Sequence, residues 1–394
     1  MDLPEGFFDP NDKRVCKLNK SLYGLKQAPR QWNAKLTEAL ASDGFVQSKS
    51  DYPLFTKSGQ NYFIALLVYV DDIIITGNNE DEIKRFKVFL QTQFMIKDLG
   101  ILKYFLGIEV INTNNGVCLN QRKYCLDLIS EFGLLAGKPI SVPLDPNVHL
   151  SSEDSENDPV LKNITEYQRL IGRLIYLTHT RPDIAYTVHC LSQFMHKPLN
   201  SHLKVALRVL RYLKAAPGKG IHICKSSNLS LKAFVDSDWA KCISSRRSVI
   251  GYCVFFCGNL VSWKSKKQNT VSKSSTKGEY RAMAFVTCEV IWIVKILEDL
   301  LVKNVLPIKV FCDSKSAIKI AANSVFHERK KHLEIDLHFV REKILAGVVK
   351  IKKIDAANNI ADILTKGLDK KSHDFLCNKL TLLNVFENSI KGGC

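Results

Sequence analysis

Apolar and polar positions along the chain change their period at two places. From Met1 to about Val148, short β-branched runs alternate with amphipathic stretches. Tyr62–Val70 and Ile73–Thr76 read as strands, and Asp81 to about Phe94 reads as a helix. A turn at Asp98–Gly100, a strand-like run Tyr104–Ile111 and a helical stretch Lys123–Phe132 follow. The polar segment Leu150–Asp158 has no apolar period and reads as a linker. Between Ile164 and Ala216, Leu170, Ile171, Leu174, Ile175 and Leu177 recur at helical spacing, as do Val205, Leu207, Leu210 and Leu213.

From Ile221 to about Leu380 strands return: Leu231–Val235, Val249–Phe256 and Leu260–Trp263, the last two joined by a two-residue turn at Gly258-Asn259. A long helix from about Lys277 to Leu301, a strand Ile308–Cys312 and a helix Ser314–Ala322 come next. A helix Ile335–Leu345, a strand Val349–Ile354 and a helix from Asn359 complete the series. A meander followed by alternating helices and strands predicts one mixed sheet covered by helices, in an α+β chain divided at 1–148, 149–220, 221–380 and a tail 381–394.

Composition narrows the function. The 394 residues are 46% hydrophobic and 24% charged, globular values that exclude a disordered chain. A net charge of +17 and a pI near 9.3 favour a polyanionic partner. The longest apolar run, Phe63–Val70, stops at Asp71 and Asp72, far short of a bilayer span. The N-terminal residues lack the basic start and apolar stretch of a secretory signal, and the twelve cysteines are too dilute for a disulfide scaffold. The expectation is a reduced, non-secreted, non-membrane protein without a Cys/His zinc site.

Two groups of carboxylates carry candidate chemistry. Tyr69-Val70-Asp71-Asp72 interrupts two β-branched runs, so paired acids sit at a hairpin tip. An ordinary turn uses Asp in this way; adjacent carboxylates at a strand end also make a platform for divalent cations. In the last block Asp236 ends a strand, Glu279 opens the long helix, Asp313 ends a strand and Asp362 lies near a helix start. Singly, Thr276-x-x-Glu279 is a capping box, Asp313 an N-cap and Asp362 a macrodipole partner. Jointly, four acids without a compensating Arg converge on one sheet edge, an arrangement tolerated when divalent cations fill it.

The hairpin acids have company. Leu22-Tyr23-Gly24-Leu25-Lys26-Gln27-Ala28-Pro29-Arg30-Gln31-Trp32 precedes them, and Asp98-Leu99-Gly100 with Lys103-Tyr104-Phe105-Leu106-Gly107-Ile108 follows. This ordered set resembles the reverse transcriptase of copia-type LTR retrotransposons. The resemblance implies that Asp71 and Asp72 bind metal, that Tyr69 packs on the primer end, and that Gly24, Lys26, Gln27 and Arg30 contact template and nucleotide. Leu106-Gly107 would help hold the primer terminus. In that family a third metal-binding Asp precedes the segment matching Leu3-Pro4-Glu5-Gly6-Phe7, where this chain starts. The expectation is therefore a palm lacking fingers and first strand, with polymerase activity lost.

Downstream, Tyr167–Leu177 and Thr180–Ile184 match the thumb/connection of the same family. Asp236-Ser237-Asp238-Trp239-Ala240, Ser245–Tyr252, Ser262–Gln268, Ser274–Tyr280, Cys312-Asp313-Ser314 and Ala361–Lys366 match its ribonuclease H domain. By that resemblance Asp236, Glu279, Asp313 and Asp362 hold two Mg²⁺ or Mn²⁺ ions about 4 Å apart. Lys277 and Ser314 depart from the family pattern at positions that are not ligands. His332, Asp336 and His338 match a further segment and are auxiliary candidates for proton transfer or product release, or simply order a loop and helix. Arg246, Arg247, Lys264, Lys266 and Lys267 frame the acids and suit a duplex backbone. Tyr23, Trp32 and Trp239 suit either base stacking or core packing.

The expected function is metal-dependent hydrolysis of the RNA strand of RNA–DNA hybrids. RNA–DNA hybrid and primer–template nucleic acid are the expected partners, and a third reading has the chain as one piece of a larger polyprotein, complemented in trans by the missing fingers of another Pol product. The alternative is a catalytically inactive transposon remnant that binds nucleic acid by charge.

Overall fold

Pro29 stands in the first turn of helix α1 (Ala28–Ser42), where its missing N–H costs nothing and its fixed φ suits the helix. The structure, a computed structural model, describes residues 15, 17, 24–322 and 331–386, with backbone only at 331–334. The family segment at Leu3–Phe7, together with Leu22 and Tyr23, lies outside the described residues. The chain divides into two compact units. One ends at Ile101 and includes Lys295–Leu301; the other holds Leu102–Val294 and the residues from Val302 onward.

In the first unit α1 is followed by β1 (Val46–Gln47), β2 (Leu54–Ser58), β3 (Phe63–Tyr69), β4 (Asp72–Gly77) and α2 (Glu80–Gln93). The strands pair in sequence order, each antiparallel to the next. Asn79 caps α2 through Asp81 and Glu82 N–H, and three acids in its first turn suit the positive end of the helix. Leu36 and Leu40 of α1 and Phe86 and Leu90 of α2 pack with Phe45, Phe55, Ile64 and Leu66. The β3–β4 tip, from Tyr69 to Asp72, is left in solvent.

The second unit begins with β5 (Tyr104–Phe105), β6 (Ile108–Thr113), β7 (Gly116–Asn120) and α3 (Arg122–Glu131). Helices α4 (Ile164–Leu177), α5 (Ala185–Ser192) and α6 (Asn200–Ala215) lead to β8 (Lys219–Cys224). Then come β9 (Leu231–Asp238), β10 (Val249–Phe256), β11 (Asn259–Lys267), α7 (Ser275–Asp299, in this unit as far as Val294), β12 (Ile308–Cys312), α8 (Lys315–Ala322) and α9 (Lys331–Leu345). Strand β13 (Val349–Lys353), a 3₁₀ turn Ile360–Leu364, α10 (Lys370–Lys379) and β14 (Leu382–Asn384) finish it. The main sheet has the order β11-β10-β9-β12-β13; β12 runs parallel to both neighbours and the other pairs are antiparallel. This is the α+β arrangement expected from the alternation.

Three local expectations change. Tyr104–Ile111 is not one strand: Leu106 and Gly107, at φ 48° and 75°, form a tight turn between β5 and β6. Two successive residues with positive φ give the turn twist that matches paired strands. The β10–β11 turn is Cys257-Gly258, at φ 53° and 82°, one residue earlier than Gly258-Asn259. Asn259 instead begins β11, where its side chain accepts from Cys224 N–H at 2.7 Å and donates to Cys224 carbonyl at 2.9 Å. Asn359 opens a 3₁₀ turn, not an α-helix.

The second sheet of this unit has the order β14-β8-β7-β6-β5. It joins residues from both sides of the expected boundaries near 148 and 220, and takes a strand from the expected tail. Backbone pairing of β8 with β7 and β14 is the physical reason these stretches fold as one unit. Helix-on-helix packing of Leu170, Ile171, Leu174, Val209, Leu210 and Leu213 supplies one of its apolar cores.

Candidate metal centre

Asp236 lies inside β9, not at its end, and pairs across the sheet with Gly251 of β10. That glycine has a steric reason. A Cβ there would stand 2.6 Å from Thr365 Cγ2 and 2.9 Å from the Ala361 carbonyl oxygen. Only a bare backbone lets the 3₁₀ turn lie against β10, which carries Asp362 and Thr365 to Asp236. Gly278 does the same for α7, where a Cβ would meet Ser237 Oγ at 3.1 Å and Ser248 Oγ at 3.3 Å.

The four acids of the last block come together. Carboxylate oxygens of Asp236, Asp313 and Asp362 lie within 4.8 Å of one another. Ligand atoms of Glu279, Cys312 and Asp313 form a second such set, so Asp313 belongs to both. Asp236 and Glu279 are buried, at 2% and 8% exposure. The Thr365 hydroxyl donates to Asp236 Oδ2. Lys366 Nζ lies 3.4 Å from that oxygen and 3.1 Å from Asp362 Oδ2. Asp362 Oδ1 is buried with no hydrogen-bond partner.

Electrostatics follow from this crowding. Burial, then the negative charges of Asp236 and Asp313, push the Glu279 carboxyl up to about 9. Burial and Asp236 push Asp362 up to about 7, against the pull of Lys366. Asp313 is raised for the same two reasons. Burial opposes the charge of Lys366, but Asp236 and Asp362 hold its ammonium above the ordinary lysine value.

The ordinary structural roles belong to other residues. Ser274, not Thr276, caps α7, its Oγ accepting from Lys277 N–H at 3.3 Å. Ser314, not Asp313, caps α8 through Ala317 N–H at 3.3 Å. The side chain of Asn359 caps the 3₁₀ turn through Ala361 N–H. The expectation is of acids without a compensating Arg, and among the described residues the cation that sits among them is a lysine, Lys366. Its place four residues after Asp362 was the available signal, since that spacing puts two side chains on one helical face.

The first pair of acids has a different setting. Asp71 and Asp72 are exposed at the β3–β4 tip, beside Tyr69 at 52% exposure. Trp32 Nε1 donates to the Val70 carbonyl at 3.2 Å, tying α1 to the tip. Gly24, at φ 89°, precedes the turn that carries Lys26 and Gln27, and Arg30 follows in the first turn of α1; all four are exposed. Among the described residues no third acid, Cys or His joins Asp71 and Asp72 in a potential metal set.

Of the auxiliary candidates, the His332 side chain lies outside the described residues. Asp336 is half-buried on α9 and raised by burial, with Arg281 of α7 acting in the opposite sense. His338 is exposed. Neither Asp336 nor His338 belongs to the metal sets. Arg246, Lys264 and Lys266 are exposed, and Arg247 and Lys267 are half-buried. Lys264 and Lys266, two apart on β11, line a groove of about 310 Å³ with Phe285 and Trp292 of α7. Trp239 donates to the Ser272 carbonyl at 2.8 Å yet stays 48% exposed. No helix among the described residues is long and apolar enough to cross a membrane.

A family described as reverse transcriptase (RNA-dependent DNA polymerase) matches residues 1–146. Over 98% of its length the chain is 41% identical to the retrovirus-related Pol polyprotein from transposon RE1 of Arabidopsis thaliana, covering 26% of that protein. It is 33% identical to a protein ascribed to transposon Ty5-1 in Saccharomyces cerevisiae, over 70% of this chain and 90% of that one. A ribonuclease H1 isolated from compost by a metagenomic approach aligns at TM-score 0.29 and 15% identity, over 38% of this chain and 98% of that one. The chain spans about a quarter of the length of its Arabidopsis Pol relatives.

Proposed function

The chain belongs to the Pol polyprotein family of copia-type transposons, with its reverse transcriptase, and we propose that its second unit hydrolyses the RNA strand of RNA–DNA hybrids. One observation carries the reading: carboxylates from four separate segments, Asp236, Glu279, Asp313 and Asp362, fall into two overlapping sets that share Asp313.

The residues fit a divalent metal. All four acids offer hard oxygen donors, Asp362 Oδ1 is buried and unpaired, and three of the four hold their protons above the usual carboxylate range. Mg²⁺ or Mn²⁺ held there supplies charge neutralisation at the scissile phosphate and a more acidic water. The chain's own residues do the rest. The Thr365 hydroxyl fixes one oxygen of Asp236, and Gly251 leaves the space that lets the 3₁₀ turn approach. Arg246, Arg247, Lys264, Lys266 and Lys267 grip phosphates of the hybrid without reading sequence.

Tyr69, Asp71, Asp72, Gly24, Lys26, Gln27 and Arg30 are assigned to the primer–template side of the polymerase reaction. The β3–β4 tip offers two exposed carboxylates, fewer than the overlapping sets of the second unit, so hydrolysis is the activity assigned to this chain.

The test is cleavage of an end-labelled RNA–DNA hybrid with Mg²⁺. Asp313→Asn should abolish cutting while leaving salt-sensitive hybrid binding in place. Equal cutting by wild type and variant sinks the assignment.

A further inference from the structure

We propose that Lys366 is a built-in counter-ion, filling one cation position of the metal-free pocket and making the two metal sites unequal. The inference rests on the nuclease reading above and concerns how that pocket loads.

Four acids share the pocket, and among the described residues Lys366 is the cation that pairs with their carboxylates, while Lys353 Nζ donates to the Asp313 backbone carbonyl. Lys366 Nζ bridges Asp236 Oδ2 at 3.4 Å and Asp362 Oδ2 at 3.1 Å, and both residues belong to the Asp236/Asp313/Asp362 set. The other set, Glu279/Cys312/Asp313, has no lysine at ion-pair distance among the described residues. A divalent ion taken by Asp236 and Asp362 meets an ammonium already paired to them and must displace it. Displacement is open to this side chain. It is 34% exposed and ends a flexible four-carbon stem, so Nζ has a path to solvent. Asp362 Oδ1, buried and unpaired, stays available while Lys366 holds Oδ2. Loading therefore runs in order: the Glu279/Asp313 side first, the Asp236/Asp362 side second and more weakly.

The experiment is Mn²⁺ binding by the full chain at pH 8.5, followed by calorimetry and by the paramagnetic resonance of free Mn²⁺, without substrate. Wild type should bind two ions in unequal steps. Lys366→Met, which keeps the length and loses the charge, should tighten the weaker step about tenfold, the scale of removing one nearby unit charge. Lys366→Arg should keep the weak step. A second measurement needs no variant: acylation of Lys366 in wild type, read by mass spectrometry, should speed up when Mn²⁺ is added. Affinities within twofold for wild type and Lys366→Met, or Lys366 labelling that Mn²⁺ leaves unchanged or slows, overturn the proposal and leave the nuclease reading standing. Absence of Mn²⁺ binding in wild type overturns both.

Discussion

Tyr212 donates a 2.5 Å hydrogen bond to Asp183, whose carboxylate also receives Arg181 Nη2 at 2.7 Å and Nε at 3.0 Å. Arg181 reaches on to the Ala216 carbonyl at 3.0 Å, so the trio clamps the end of α6 to the 3₁₀ turn Pro182–Ile184. Arg181 and Asp183 are each 2% exposed. Burial alone would raise Asp183, but Arg181 holds it well below the usual carboxylate range. Asp183→Asn leaves a buried guanidinium without its counter-charge and should cost about 3–5 kcal/mol, read by urea unfolding. A depressed folded-state pKa means this contribution is present above the ordinary Asp value and is lost as pH falls through the folded one.

The acids of the metal centre give the opposite slope. Glu279 and Asp362 are raised to about 9 and about 7, so between about pH 4 and pH 9 these two carboxyls bind more protons in the folded protein than in the unfolded chain, whereas His189, His202 and His373, lowered by burial, bind fewer below about pH 7. Stability in EDTA should therefore fall as pH rises from about 7 to about 9, where the histidines no longer titrate. Saturating Mg²⁺ should flatten the slope, and Glu279→Gln should raise the melting temperature in EDTA at pH 8. A melting temperature that rises from about pH 7 to about pH 9 in EDTA would contradict the crowding.

Gly251→Ala tests the approach of the 3₁₀ turn. The added methyl would stand 2.9 Å from a backbone oxygen and 2.6 Å from Thr365 Cγ2, so the turn must retreat. Misplacing catalytic groups by about 1 Å costs on the order of 10²-fold in rate. Hybrid cleavage should drop by that order while circular dichroism stays that of wild type.

Cutting the chain tests the second unit. A piece limited to 221–380 loses β7 and β14, which flank β8, and the core helices α4 to α6. It should be poorly soluble and unfold without a cooperative transition. A piece spanning 102–386 keeps both sheets of this unit and should unfold cooperatively in urea. Equal cooperativity of the two pieces would show that the shared sheet contributes little.

Much of this protein was legible in order of appearance. Local pattern marked most strands and helices of the second unit, because period and capping chemistry act over a few residues. Residue types at spaced positions singled out Asp236, Glu279, Asp313 and Asp362 before any contact was known. What only the tertiary structure decided is which of these groups meet. The parallel β9–β12 pairing, the bare backbone at Gly251 and the 3₁₀ turn at Asp362 bring together residues far apart in sequence. Lys366 entered the pocket by the same packing, and Ser274 and Ser314 took the caps that Thr276 and Asp313 had offered. The unit's edges were hidden for a similar reason. A strand's pattern says which face it buries, whereas its partner is chosen by hydrogen bonds to distant backbone, as β8 is by β7 and β14.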